Sequence, residues 1–181
     1  MARSYPFILY QRKTYLVSYS MTITIGDKIP DQALVIMDKD KGPQPFSLSE
    51  FSSNKRVVLF GVPGAFTPTC TRNHLPGFIK NIDKIKGKGI DEIICFATND
   101  IFTMQAWEEM SGAIGKIIFL SDSKAEFSKA IGTDYPDSFG TSIKTKRCSM
   151  LIDNGIVEKF FVESDSGQAI ESGAENMINN I

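Results

Sequence analysis

Residues 56–70 read RVVLFGVPGAFTPTC, from Arg56 to Cys70, and the fold is decided by how this stretch changes character along its length. Its first part, Arg56–Gly61, is β-branched and apolar throughout, the composition of a strand covered on both faces and therefore central in a sheet. Val62 to Thr69 then brings two prolines and a glycine, which end the strand in a loop. At Cys70 a helical pattern opens, with Leu75, Phe78, Ile79, Ile82 and Ile85 on one face. Pro76 is expected to kink that helix near its first turns, because it lacks an N–H and its ring crowds the preceding turn.

Working outward, residues 92–98 (EIICFAT) predict a second buried strand, 102–110 a helix, 116–120 a third strand and 125–131 a short helix. Strand and helix alternate, which implies βαβ units with right-handed crossovers and a parallel portion of sheet. Upstream, an apolar run at 33–37 and the capping-box signal S-x-x-E at Ser47–Glu50 read as peripheral elements. Downstream, two strands at 149–153 and Ile156–Val162 flank Asn154-Gly155, the strongest short-range signal for a type I′ hairpin. A terminal helix is expected at 168–178. The sum is an α/β domain on the thioredoxin-like plan, a central mixed sheet flanked by helices.

At 181 residues, without repeats or low-complexity linkers, the chain fits one domain. It is expected to run over residues 25–181, preceded by an extension of residues 1–24. The first acidic residue is Asp27, and the tract before it carries Arg3, Arg12 and Lys13 among Ser, Thr and Tyr. It resembles the remnant of an organellar targeting segment, although acid-poor termini of this length also arise by chance. The expected location is a reducing intracellular compartment: plastid, mitochondrion or cytoplasm.

A net charge of -1 supplies no basic surplus for a phosphate backbone, so nucleic acid is not an expected partner. Apolar stretches fall far short of the ~20 residues of a membrane span. Three widely spaced cysteines form no C-x-x-C pair, and a single histidine rules out a three-histidine metal site. No metal and no cofactor are expected.

Chemistry concentrates at Cys70. A cysteine just past a central strand and in the first turn of a helix sits where open α/β sheets carry function. Unpaired N–H groups and the helix dipole favour its thiolate there. The competing reading is an inert buried cysteine, which suits Cys95 within IICF better than a residue in a proline-punctuated loop.

Pro63, Thr67 and Cys70 spell P-x-x-x-T-x-x-C, and PGAFTPTC is followed by His74-Leu75-Pro76-Gly77-Phe78. These residues resemble the active-site signature of the peroxiredoxins, and in particular of the peroxiredoxin 5 subfamily. The likeness continues through Thr98-Asn99-Asp100 and through RCSMLIDNGIV at 147–157, so it covers roughly Ile25 to the C-terminus. The resemblance implies a thiol-dependent peroxidase in which the Cys70 thiolate displaces water or an alcohol from a hydroperoxide. It implies that Thr67 Oγ accepts from the peroxide and bonds to Cys70 Sγ, that Arg147 donates to sulfur and peroxide, and that the Cys70 N–H completes the pocket. Pro63 would shield the sulfur from water.

Alternatives accompany these assignments. Thr67 could be a plain helix cap, and Arg147 a solvated surface charge beside Lys144 and Lys146. His74 could pair with Cys70 as a hydrolase dyad, although a packing role is favoured. Phe102 and Trp107 are expected in the core and at a dimer interface. A non-enzymatic module whose cysteine only senses oxidation is the alternative to an enzyme, and Asn73 replaces the second cysteine that disulfide exchange would need.

The resemblance further implies a homodimer and recycling by glutathione with glutaredoxin or by thioredoxin. Relatives with a resolving cysteine carry it in the segment matching 168–172, whereas this chain has none beyond Cys148. Cys95 is expected to be locked in a strand too far from Cys70 for a disulfide. If Arg147 faces the active site, strand alternation turns Cys148 away. A one-cysteine mechanism is therefore expected.

Overall fold

The computed structural model describes residues 22–181, so the targeting character of residues 1–21 lies outside the described residues. In chain order the elements are β1 Leu34–Asp38, β2 Gly42–Phe46, α1 Leu48–Phe51, β3 Arg56–Gly61, α2 Leu75–Lys80, α3 Ile82–Lys86, β4 Glu92–Ala97 and α4 Ile101–Ser111. There follow β5 Ile118–Ser121, α5 Glu126–Ala130, β6 Asp134–Pro136, β7 Ile143–Thr145, β8 Cys148–Asp153, β9 Ile156–Val162 and α6 Ala174–Asn180. Seven strands form one mixed sheet in the order β2-β1-β5-β4-β3-β8-β9, and β6 pairs with β7 as a separate ribbon.

The continuous apolar run of β3 has the expected consequence. It lies between parallel β4 and antiparallel β8, with every residue from Val57 to Gly61 buried. β4 runs parallel to β5 as well, giving the parallel core of the sheet. Alternation along the strands feeds two apolar layers. Val58, Phe60 and Cys95 face one layer together with Phe78 and Trp107, while Val57, Leu59, Ile94 and Phe96 face the other with Phe127 and Cys148. Asn154 and Gly155 both take positive φ (49° and 78°), as the type I′ reading of the β8–β9 hairpin requires.

Several features differ from the sequence reading. The run at 33–37 is not peripheral, because β1 pairs antiparallel with both β2 and β5 and so becomes an interior strand. Its partner β2 (GPQPF) hides its strand character behind Pro43 and Pro45, which are tolerated because β2 is an edge strand. The helix after Cys70 is not one kinked helix. Residues Cys70–His74 form a π-turn, closed by the Leu75 N–H on Cys70 O, and Pro76 then sits in the first turn of α2, where a missing N–H costs nothing.

The terminal helix begins at Ala174 rather than at 168. Asp165 accepts from the Gly167 N–H at 2.8 Å and holds the preceding segment in turns instead. The ribbon β6–β7 went unforeseen, since three-residue strands carry no readable period. The packed body already includes Ile23, which is buried and donates its N–H to Ile131 O at 3.3 Å. Among the described residues no helix is long and apolar enough to cross a membrane.

Candidate active site

Helical structure begins at Pro68, whose fixed φ suits a first helical residue, so Cys70 lies in the first turn after the loop that leaves β3. The loop is shaped by a tight turn in which Phe66 takes φ of 61° and Asn99 Oδ1 accepts the Ala65 N–H at 2.9 Å. Cys70 is fully enclosed.

Arg147 reaches this sulfur from the residue just before β8. Its Nη2 donates to Cys70 Sγ at 3.4 Å and to Ser166 O at 2.9 Å, Nε donates to Ser166 O at 3.2 Å, and Nη1 lies 3.2 Å from His74 Nδ1. The side chain is buried, 2% exposed, which excludes a solvated surface charge. A guanidinium fork is the one side chain that can hold sulfur, carbonyl and imidazole at once.

His74 completes the frame one turn below the sulfur. Its Nε2 is 3.0 Å from Ser172 O, and a carbonyl can only accept, so Nε2 carries the proton and Nδ1 accepts from Arg147. Burial above all, together with the Arg147 cation, lowers His74 to about 3, so the ring is neutral. A neutral ring whose free nitrogen is occupied by a guanidinium cannot serve as the base of a dyad. Ser172 donates both its N–H (2.8 Å) and its Oγ (2.9 Å) to Glu163 Oε1, fixing the segment on which His74 leans.

Thr67 stands at the mouth with its hydroxyl donating to Gly64 O at 2.8 Å, rather than to the sulfur. Its lone pairs are left to accept. Pro63 is half-buried in the same loop. Tyr135, half-buried on β6, feels both groups, since burial raises its phenol, the Cys70 charge raises it further and Arg147 opposes them. Sequence reasoning had Cys70, Thr67, Arg147, His74 and Pro63, and missed Ser166, Ser172, Glu163 and Tyr135. Ser166 and Ser172 act through backbone carbonyls, Glu163 through a carboxylate that holds Ser172, and Tyr135 lies on a three-residue strand, so no local pattern marks any of them.

Residues 24–178 match the family model described as Redoxin. The chain is 40% identical to peroxiredoxin-2C of Arabidopsis thaliana over 158 residues, which cover 86% of this chain and 96% of that protein. The chain belongs to the redoxin family, as a peroxiredoxin. It is also 37% identical over 161 residues to the chloroplastic peroxiredoxin-2E of Arabidopsis thaliana, covering 87% of this chain and 68% of that one. Among solved structures it is similar to reduced Prx3 from Vibrio vulnificus in complex with H2O2, with a TM-score of 0.83 and 37% identity over 88% of this chain and 99% of that one. This peroxiredoxin is thus a thiol-dependent peroxidase on a thioredoxin-like fold.

Its other two thiols are placed differently from each other. Cys148 lies in the layer opposite Cys70, as strand alternation required, and burial pushes its thiol up to about 12. Cys95 shares the Cys70 layer, and burial raises its thiol well above the ordinary range, the Cys70 charge adding to the effect. Trp107 is buried and donates its indole N–H to Thr71 Oγ1 at 3.2 Å, directly behind Cys70. Phe102 is not a core residue: α4 buries Ile101, Met104 and Trp107, and Phe102 falls off that face, 64% exposed.

Proposed function

We propose that this peroxiredoxin reduces hydrogen peroxide and alkyl hydroperoxides through a Cys70 sulfenic acid that an external thiol recycles. The observation that carries the reading is the Arg147 guanidinium 3.4 Å from the enclosed Cys70 sulfur. At that distance the guanidinium's donors are aimed at the reacting sulfur, where they act on charge developing in the transition state. The thiolate attacks the terminal peroxide oxygen, the O–O bond breaks, and the departing oxygen takes up a proton to leave as water or alcohol. Thr67 Oγ accepts from the peroxide O–H, Arg147 donates to the departing oxygen, the Cys70 N–H steadies the incoming one and Pro63 limits water.

Recycling by an external thiol follows from the other two cysteines. A thiol attacks a sulfenic acid as the thiolate, and burial keeps Cys95 and Cys148 protonated. Glutathione with glutaredoxin, or thioredoxin, would supply the electrons, and the working unit is a homodimer. The enzyme serves antioxidant defence and redox homeostasis in a plastid, mitochondrion or cytoplasm. The residues ahead of the packed body, which already includes Ile23, would carry the address.

The test is mass spectrometry after one equivalent of peroxide, with a dimedone-type trap, followed by separate incubation with glutathione plus glutaredoxin and with thioredoxin. A trapped sulfenate on Cys70 that either system removes supports the reading. A disulfide from Cys70 to Cys95 or Cys148, formed as fast as turnover, overturns the one-cysteine mechanism.

A further inference from the structure

We propose that the cleft between the Cys70–His74 turn and α6 is the docking site of the recycling thiol, and that this thiol is a short zwitterionic peptide of the glutathione class. The inference rests on the external-thiol reading above. The cleft has a volume of about 570 Å³, within the range of small-molecule sites. One wall carries Arg72 and Lys80, and the other carries Glu171 and Glu175.

All four charges are exposed, and none belongs to an ion pair among the described residues, whose three pairs lie elsewhere on Arg56 and Lys86. A purely anionic ligand would leave the two carboxylates opposed to it, and a purely cationic one would oppose the arginine and lysine. A ligand with carboxylate at one end and ammonium at the other satisfies both walls. Asparagine side chains among the lining residues suit the amides of a peptide, and the exposed Ile170 offers an apolar contact at the rim.

The cleft is wired to the reacting sulfur. His74 forms part of its floor, and His74 Nδ1 meets Arg147, which meets Cys70 Sγ. The wall bearing Glu171 continues the segment that roofs Cys70, where Ser166 O accepts from Arg147 and Gly167 O accepts from Thr69 Oγ1 at 3.2 Å. Because Cys70 is fully enclosed, a thiol reaches it only as that segment yields, and a peptide seated along the segment follows it in. The peptide thiolate then attacks the sulfenyl sulfur. The S–O bond breaks, hydroxide leaves as water with the proton of the thiol, and a mixed disulfide forms. A second peptide thiol attacks its partner sulfur, releasing the Cys70 thiolate and the peptide disulfide.

The experiment uses the full chain, reduced glutathione, the uncharged thiol 2-mercaptoethanol, and S-methylglutathione as an unreactive analogue. The quantity read is the ratio of second-order recycling rates for glutathione over 2-mercaptoethanol. It is expected to fall about fivefold in Lys80→Glu and again in Glu175→Lys, the size of one lost exposed ion pair. S-methylglutathione is expected to compete with glutathione in the wild type and to compete more weakly in both variants. Ratios within twofold of wild type in both variants overturn the site. Recycling of the wild type by thioredoxin but not by glutathione also overturns it while leaving the external-thiol reading standing, whereas a turnover-competent internal disulfide defeats that reading itself.

Discussion

Replacing Arg147 with alanine tests the active-site geometry most directly. The guanidinium makes one contact to the reacting sulfur and three to its supports, two on Ser166 O and one on His74 Nδ1. At 3.4 Å and an effective dielectric of 20, the ion–ion attraction to a thiolate is about 5 kcal/mol before desolvation is subtracted. A single lost donor to developing charge costs roughly 2.7–4 kcal/mol in well-studied sites, so peroxide reduction should slow by about 10²- to 10³-fold. Stability should fall too, by roughly 1–3 kcal/mol for the buried groups left unpaired. Stopped-flow measurement of stoichiometric peroxide consumption reads the rate, and near-UV circular dichroism confirms that the compared fraction is folded. Arg147→Lys keeps the charge but loses the fork, and should fall between wild type and alanine. A folded Arg147→Ala enzyme within threefold of the wild-type rate refutes the reasoning, since a cation touching the sulfur cannot be dispensable to a thiolate mechanism.

Cys70→Ser should abolish peroxide reduction, and because the residue lies in the buried layer and not outside the core, its hydroxyl must satisfy itself on Arg147; a melting scan should show a loss on the order of 1 kcal/mol. His74 is lowered from 6.5 to about 3, so the unfolded chain binds a proton that the folded chain refuses. Its contribution to stability is complete above pH 6.5 and is lost as the pH falls toward 3, at about 1.4 kcal/mol per pH unit. Urea titrations at pH 6 and pH 4 should show that slope reduced by one proton in His74→Gln, and an unchanged slope would mean that His74 is not buried neutral. Gly61→Ala would place a Cβ 2.7 Å from the Phe96 ring and 2.9 Å from Cys148 Sγ, so it should destabilise by about 1–3 kcal/mol; a neutral melting temperature would show that the sheet relaxes there.

Much of the fold was legible in the sequence because its strands are either continuously apolar or joined by residues with special backbone needs. β3 and β4 could hardly be surface strands, and Asn154-Gly155 could hardly be anything but a tight hairpin. The strands that escaped notice were those whose pairing overrides composition: β2 with its two prolines, and the three-residue β6 and β7. The boundary of α6 was misplaced because an Asp165-centred turn outcompetes a helical pattern whose first residues have nothing to pack against.

The candidate site divides in the same way. The sequence by itself determined the nucleophile, its place in the first turn of a helix, and the loop with Pro63 and Thr67 that precedes it, since all of these lie within eight residues and are set by local backbone chemistry. Only the tertiary structure decided that Arg147 is buried against a sulfur 77 residues away, that His74 is a neutral acceptor rather than a base, and that Ser166, Ser172 and Glu163 hold both in place. Such contacts depend on where the sheet order puts β8 and on which carbonyls a returning loop presents. Backbone carbonyls are the same in every residue, so no side-chain pattern along the chain can announce them.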